Sequence, residues 1–424
     1  MSERIQDTKA DRPAPAGIAA PHHLGGGVIF AKLFPNPDEP YRGIFVADQM
    51  AATAARVDWS VVAPAPWVPR RVARLLGKPW VKGTATYRGH PVAYPRYPVL
   101  PRRIGYATVA PLIARTARDA FRRACASVDA RFVHVHDLYP TGPAGRRLSD
   151  EAGLPYVLTV HGLDLYSNLS NPRWRRQIRY AALGAGAIVC VGERLARDCI
   201  AHLGVDPGRV FVIPNTYDVE RFRFVERPIR RDPVRLVTLG RLSSEKGHDV
   251  LLRAVGQVLA SGVDVSLTVV GDGPERSTLE ALASELDLGA HISFTGTLLG
   301  TDVPDAFAQA DAFVLPSRQE GFGVALIEAM ATGLPVVATR SGGPEGIVGP
   351  ADGLLVAPGD VASLAEGILA LLQSLDSYDG NAIAARTAQR YSPEAVGERL
   401  TTLYAEVLAG GPISSTLARG TSDG

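Results

Sequence analysis

Short runs of apolar, largely β-branched residues recur along this chain, and longer stretches with helical spacing separate them. In the first half the runs are Val28–Phe34, Trp59–Ala63, Phe132–His136, Tyr156–Val160, Ala187–Val191 and Val210–Ile213. Helical patterns between them include Val109–Ala126, Arg173–Leu183 and Glu193–His202. A second series comprises Val234–Gly240, Ser266–Gly271, Ile292–Thr295, Ala312–Leu315 and Pro335–Thr339. Its helices are expected near Val250–Ala260, Glu275–Leu286, Asp302–Ala308, Ala325–Thr332 and Val361–Leu375. Runs apolar on nearly every position suit strands buried on both faces, and strand–helix alternation produces parallel sheets. The pattern occurs twice, so the expected architecture is α/β, with two doubly wound Rossmann-like domains facing a cleft.

The boundaries follow from composition. Residues 1–26 and 410–424 mix small, polar and proline residues without periodicity and read as disordered tails. The first domain would span 27–220, an Arg- and Pro-rich linker 221–232, and the second domain 233–391. A last helix, 392–409, opens with Ser392 as N-cap and Pro393 at the first helical position, and crosses back to the first domain.

Composition also excludes several classes. The three cysteines, Cys125, Cys190 and Cys199, form no C-x-x-C pair, which argues against a disulfide framework and a thiolate zinc site. No apolar run approaches the roughly 20 residues that span a bilayer, and the N-terminus lacks a secretory pattern, so a cytoplasmic location is expected. Net charge is only +2, yet residues 64–125 carry thirteen Lys or Arg against the single acid Asp119. Interleaved with Trp67, Trp80 and Tyr97, that segment reads as a surface for anionic membrane rather than for specific nucleic acid, against the plainer alternative of a solvated basic face.

In open α/β sheets, ligands bind beyond the carboxyl ends of the strands, and two segments there carry chemistry. In L-P-S-R-Q-E-G-F-G-V-A-L-I-E, Glu320 lies in a loop after a strand and Glu328 on the helix that follows. Gly321 and Gly323 permit close backbone approach, so amides there can meet ligand hydroxyls. Two carboxylates accepting from vicinal hydroxyls would grip a sugar or ribose, where the plainer reading is acids decorating a helix N-terminus. In V-T-L-G-R-L-S-S-E-K-G-H, Arg241 and Lys246 share one loop before a helix, an arrangement suited to a diphosphate. The plainer reading makes them solvated charges, with Glu245 as a surface partner.

Three other segments are weaker. V-V-G-D-G-P-E-R at 269–276 has Arg276 where a dinucleotide fingerprint needs its third glycine, and reads as a tight strand-to-helix turn. His161 follows a strongly apolar strand in T-V-H-G-L-D and would stand at the cleft edge, whereas His134 in H-V-H reads as a satisfied polar residue. After the first strand, Gly43 opens a helix beyond a proline-stiffened loop and is a further candidate for backbone approach to phosphate. With no H-x-x-x-H, H-E-x-x-H or D-x-D, no protein-held metal is expected.

Taken together these residues resemble glycosyltransferase family 4, retaining transferases of the GT-B fold. The carriers are Glu320 and Glu328 in E-x7-E spacing, G-R-L-S-S-E-K-G with Arg241 and Lys246, and V-H-G-L-D with His161. S-G-G-P-E at 341–345 and G-L-L-V-A-P-G-D at 353–360 complete them, and F-P-N-P-D-E-P-Y-R-G resembles members that build cell-surface polysaccharides. The resemblance implies a nucleotide-diphosphate sugar held mainly by the second domain, with no further cofactor. Glu328 would grip the ribose, and Glu320 with the amides of Gly321, Phe322, Gly323 and Val324 the sugar hydroxyls. Arg241 and Lys246 would neutralise the diphosphate, Gly43 would approach it from the first domain, and His161 would line the sugar pocket. One departure stands at I-P-N-T-Y-D, where Thr216 follows Asn215 in place of the family's usual glycine.

The chemistry agrees with the resemblance. Cleaving a glycosyl phosphate builds negative charge on the diphosphate, which fixed cations stabilise without a metal. Retention by a front-face route is expected, with a departing phosphate oxygen accepting the proton of a glycan or lipid-linked acceptor. Two rivals remain at this point: a glycoside hydrolase using Glu320 and Glu328, and a non-catalytic nucleotide or nucleic-acid binder.

Overall fold

The computed structural model describes residues 23–67, 83–99, 106–166, 169, 171–226, 233–298, 302–411 and 413. Most of both expected tails, residues 227–232 of the expected linker, and seven of the thirteen basic residues of segment 64–125 lie outside these.

The first sheet contains β1 (Gly26–Phe30), β2 (Asp58–Val62), β4 (Thr84–Tyr87), β5 (His90–Ala93), β7 (Ala130–His136), β8 (Tyr156–Val160), β9 (Ala187–Cys190) and β10 (Val210–Val212). Its order is β10-β9-β8-β7-β1-β2-β5-β4, parallel except for the β4–β5 hairpin. A small parallel pair, β3 (Ala65–Trp67) with β6 (Arg96–Pro98), flanks it. The second sheet runs β13 (Ile292–Gly296), β12 (Val265–Val270), β11 (Val234–Leu239), β14 (Ala312–Leu315), β15 (Val336–Thr339) and β16 (Gly353–Val356). That is the doubly wound order 3-2-1-4-5-6, parallel throughout. Strands β1, β8, β9, β14 and β15 are buried at every position, as their unbroken apolar runs require.

Topology fixes where ligands can bind. Chain direction across each sheet reverses once, between β1 and β7 and between β11 and β14. At such a point the adjoining loops diverge and leave a crevice beyond the carboxyl ends. The loops after β11 and β14 carry Arg241–Lys246 and Glu320, and those after β1 and β7 carry Gly43 and Asp137.

Several expectations need correction. The first 26 residues are not all tail, because Leu24 is buried and β1 starts at Gly26, whose ideal Cβ would lie 1.8 Å from the Val128 carbonyl oxygen. The first half of the expected linker packs on the second lobe: Phe222 is buried with its ring 5.8 Å from Phe307, and the Val225 amide donates to the Thr332 carbonyl. Strands β3–β6 and β16, and the helices Thr141–Ala152 and Gly380–Tyr391, add to the expected set. The β4–β5 hairpin turns through Arg88 (φ 47°) and Gly89 (φ 85°), a pair of positive φ values that suits a two-residue hairpin.

The last helix, Pro393–Ala409, is capped by Ser392, whose Oγ accepts from the Ala395 amide, a contact worth about 1 kcal/mol. It packs on the helix Ile44–Thr53 so closely that a Cβ on Gly397 would lie 2.2 Å from the Ala52 carbonyl oxygen. Tyr404 on this helix meets Trp59 and Phe132, which seats it against the first sheet. All three cysteines are free. No helix among the described residues is long and apolar enough to cross a membrane.

Candidate active site

Two loops of the second sheet are tied into one unit. After β11 the chain turns through a short 3-10 segment, Ser244–Lys246, to Gly247 (φ 67°) and the helix His248–Ala260. A Cβ on Gly247 would lie 2.2 Å from the Pro316 carbonyl oxygen, so only glycine lets this turn sit on the loop after β14. The Glu245 carbonyl accepts from the Arg318 amide, and Arg318 holds Asp249 through two bonds of 2.7 and 2.6 Å. Across this junction Lys246 Nζ donates to Glu320 Oε2 at 2.6 Å, and Ser317 Oγ donates to the same oxygen at 3.2 Å.

The bend that follows Glu320 owes its shape to close backbone packing. The Glu320 amide donates to Ser341 and its carbonyl accepts from Gly343, so the S-G-G-P-E run supports the bend. A Cβ on Gly343 would sit 2.1 Å from the Phe322 carbonyl oxygen. Gly323, at φ 108°, then starts the helix Val324–Ala331. Among the described residues the amides of Gly321, Phe322, Gly323 and Val324 carry no hydrogen bond. A helix N-terminus with unbonded donors is a ready acceptor site for oxygen ligands.

Glu328 lies one turn into that helix and is half-buried. Burial, together with Asp48 and Asp218, pushes its carboxyl up to about 8, with Arg221 pulling the other way. Asp48 belongs to the helix Ile44–Thr53 of the first lobe, so the two lobes meet here in a concentration of carboxylates. Burial likewise raises Asp48 to about 6, although Arg88 from the β4–β5 turn reaches it at 3.2 Å and stands 3.7 Å from Asp218. Such a corner favours neutral hydroxyl donors over anions.

The first lobe closes over the bend. Gly162 (φ 108°) and Gly321 are in backbone contact: a Cβ on Gly321 would lie 2.3 Å from the His161 carbonyl oxygen. The His161 ring lies 4.5 Å from Phe45 and stacks on His136 at 5.4 Å, with His136 Nδ1 and His161 Nε2 3.1 Å apart. Burial holds His161 down to about 4, so it is neutral at physiological pH. Asp164 accepts from the amides of Leu138, His161 and Gly162 at 2.9, 3.1 and 2.8 Å and fixes this turn. Beside it, Lys32 stands 3.7 Å from Asp137, whose backbone holds φ 75° at the end of β7.

The structure thus brings Lys246, Glu320, Gly321 and His161 to one place, with Glu328 one helical turn away. Arg241 shares the Lys246 loop but is exposed and makes no ion pair among the described residues. Glu245 does not pair with Lys246 as the plainer reading had it: it accepts from Ser243 at 2.7 Å, while Lys246 goes to Glu320. Gly43 caps the helix Ile44–Thr53 in the left-handed region, and its Cβ position is blocked by the Leu33 carbonyl at 2.4 Å in the loop after β1. The G-D-G turn is likewise explained by packing, since Cβ atoms at Gly271 and Gly273 would strike the Gly240 and Leu242 carbonyl oxygens at 1.9 and 2.3 Å. His134 is satisfied, bonded to Thr159 and Tyr404. Thr216, the departure from glycine, donates from its buried hydroxyl to the Tyr391 carbonyl at 2.8 Å and ties the crossing loop to the second lobe. Sequence reading passed over Asp48 and Asp218, counted Arg88 only within the basic segment, and gave His136 no role beside His134. For His136 a signal existed, because H-V-H puts two histidines on one face of a strand.

Facing doubly wound sheets, with a cation–carboxylate pair and a bare helix N-terminus at the crevice, define a GT-B transferase. Comparison with known proteins agrees: the model for glycosyl transferases group 1 matches residues 219–386, and that for glycosyltransferase family 4 matches residues 43–221. The TuaC protein of Bacillus subtilis, a glycosyltransferase assigned to teichuronic acid biosynthesis, is 30% identical over 353 residues, covering 79% of this chain and 86% of that protein. The 2-deoxystreptamine glucosyltransferase of Streptomyces kanamyceticus is 33% identical over 251 residues, 54% of this chain and 64% of that enzyme. The HepE protein of Anabaena, solved with UDP-glucose, superposes with a TM-score of 0.66 at 20% identity, covering 91% of this chain and 100% of that one. The chain belongs to the family 4, group 1 glycosyltransferases.

Proposed function

We propose that this glycosyltransferase moves a hexose-type sugar, with retention and without a protein-held metal, from a nucleotide diphosphate to a hydroxyl of a glycan or lipid-linked acceptor. The observation that carries the reading is the Lys246–Glu320 contact at 2.6 Å beside the unbonded amides of 321–324. A diphosphate oxygen would take over Lys246, freeing Glu320 and the amides for sugar hydroxyls. Arg241, exposed on the same loop, would close on the outer phosphate. Glu328 would accept from the ribose diol, and its acidic surroundings favour hydroxyl donors there.

In the reaction the glycosyl C1–O bond to phosphate breaks while the acceptor oxygen attacks from the same face. A phosphate oxygen takes the acceptor's proton, so Glu320 positions the sugar and forms no bond to it. The leaving diphosphate gains charge in this step, and fixed cations lower its energy by electrostatic preorganisation. UDP-sugars are the first donors to try, given the likeness to HepE, and an acceptor in polysaccharide assembly is suggested by the likeness to TuaC.

Hydrogen bonds to charged groups contribute about 1.5–3 kcal/mol each. Lys246→Ala and Arg241→Ala should therefore each lower kcat/KM for the donor by about 10- to 100-fold with folding intact. The assay is release of nucleoside diphosphate across UDP-, GDP- and ADP-sugars, with and without chelator, and the product anomer read by NMR. Unchanged turnover in both variants removes the diphosphate role, and an inverted product removes the front-face route.

A further inference from the structure

Behind His161 lies a stack of imidazoles that the transfer reaction as described does not use. His134 and His136 leave the same face of β7, their rings 4.1 Å apart. Both nitrogens of His134 are engaged, Nε2 with Thr159 Oγ1 at 2.6 Å and Nδ1 with the Tyr404 hydroxyl at 2.8 Å. Tyr404 comes from the C-terminal helix, so that helix braces the stack from the rear. His136 and His161 share one hydrogen bond, Nδ1 to Nε2, and each has one nitrogen left over. Those two, His136 Nε2 and His161 Nδ1, are buried and have no partner.

Counting protons limits the possibilities. Burial keeps both rings neutral, so the pair holds two N–H groups, and the shared bond uses one. If His161 donates, the remaining N–H is His136 Nε2–H, sealed in a residue 1% exposed, where no ligand can satisfy it. If His136 donates, the remaining N–H is His161 Nδ1–H, itself buried but carried by a partly exposed residue that stands at the lobe gap against Phe45 and Gly321. Either arrangement leaves one buried N–H unpaired, and only that of His161 lies where a ligand entering the lobe gap can meet it, which selects the second arrangement.

We propose that His136 is a positioning residue whose Nδ1–H donates to His161 Nε2 and holds His161 as the Nδ1–H tautomer, so that the sugar site is offered a hydrogen-bond donor. A hydroxyl or ring oxygen of the bound sugar is the acceptor that fits. The consequence for the transferred sugar is a requirement for an oxygen at that position. This inference rests on His161 lining the sugar pocket, as the proposed function has it.

Long-range ¹H–¹⁵N correlation spectra of ¹⁵N-histidine-labelled protein at neutral pH read the tautomers directly and need no substrate. The expected result is a proton on Nδ1 and none on Nε2 for both His136 and His161. A proton on His161 Nε2, or a mixture of tautomers, overturns the proposal. His136→Asn places an amide N–H where Nδ1–H was, and should keep the His161 tautomer and hold donor turnover within about threefold. His136→Phe keeps a stacked ring without a donor, and should release the tautomer and lower kcat about five- to tenfold, the loss of one hydrogen bond, with little change in donor KM. Equal turnover in the Asn and Phe variants also overturns it. If His136→Phe does not fold, the wild-type and His136→Asn spectra still decide. Absence of nucleotide-sugar turnover in the wild type would instead reject the proposed function, leaving the tautomer measurement standing.

Discussion

At the scale of single residues, Glu328 departs furthest from what its chemistry alone would suggest. Its carboxyl ordinarily titrates near 4.5, yet burial and the neighbouring Asp48 and Asp218 push it up to about 8. A group whose folded pKa lies above its unfolded value binds more protons folded than unfolded, so stability falls as pH rises between the two. For Glu328 that window runs from about 4.5 to about 8. The buried histidines act oppositely: His161, held down to about 4 from 6.5, costs stability only as pH falls through that lower range. Above pH 7 the Glu328 slope should dominate, and Glu328→Gln should flatten a decline in Tm measured from pH 7 to 8.5. The same variant should bind the donor more weakly, because the amide keeps one acceptor oxygen for a diol and turns the other into a donor. A Tm profile unaltered by the substitution would remove the raised carboxyl from the account.

Among the elements, the glycine bend after β14 sets the fit of the two lobes. Gly321 has no room for a Cβ, with the His161 carbonyl oxygen 2.3 Å from that position, while each lobe keeps its own sheet whether or not they close. Gly321→Ala should therefore leave thermal stability within about 1 kcal/mol, the scale of a small surface change. Donor turnover should fall by at least about tenfold, since a misplaced closing surface loses the positioned geometry. Circular dichroism melts and donor kinetics on one preparation check this. A large loss of stability with kinetics preserved would mean the contact is architectural only. The bend was legible in the sequence as glycines flanking a carboxylate. What the glycines make room for was not legible, because their partners, His161, Gly162 and Ser341–Gly343, come from other segments.

For the whole molecule, the basic character of the first lobe proves wider than the segment 64–125 in which the sequence displays it. Helices Val109–Val128, Thr141–Ala152 and Pro172–Gly184 pack side by side, and their exposed arginines include Arg115, Arg122, Arg123, Arg147, Arg175 and Arg179. Arg118 is set apart by its paired contacts to Glu151 at 2.9 and 2.7 Å. Leu183 and Tyr180 are exposed on the third of these helices. Basic groups near an anionic leaflet gain about 1 kcal/mol each, so this lobe should pellet with vesicles containing phosphatidylglycerol and not with neutral ones. Replacing Arg175, Arg176 and Arg179 by Gln should weaken that binding at least tenfold while leaving turnover of the free donor unchanged. Equal binding to neutral vesicles would count against a lipid-linked acceptor.

Local physics, acting within a few residues, was enough to specify the strands, most helices, the Ser392 cap and the existence of two lobes from sequence. Apolar runs and caps report on their own segments. Strands β3–β6 and β16 escaped because they are short and only partly buried, so their patterns are faint. The site divides along the same line. Glu320, Glu328, Arg241 and Lys246 stood out by type and spacing, whereas the pairing of Lys246 with Glu320 rather than with its neighbour Glu245 depends on two loops 74 positions apart. The carboxylate corner of Asp48, Asp218 and Glu328 and the His136–His161 pair arise in the same way. Hydrogen bonds and charges act through space, and only folding decides which distant residues share it.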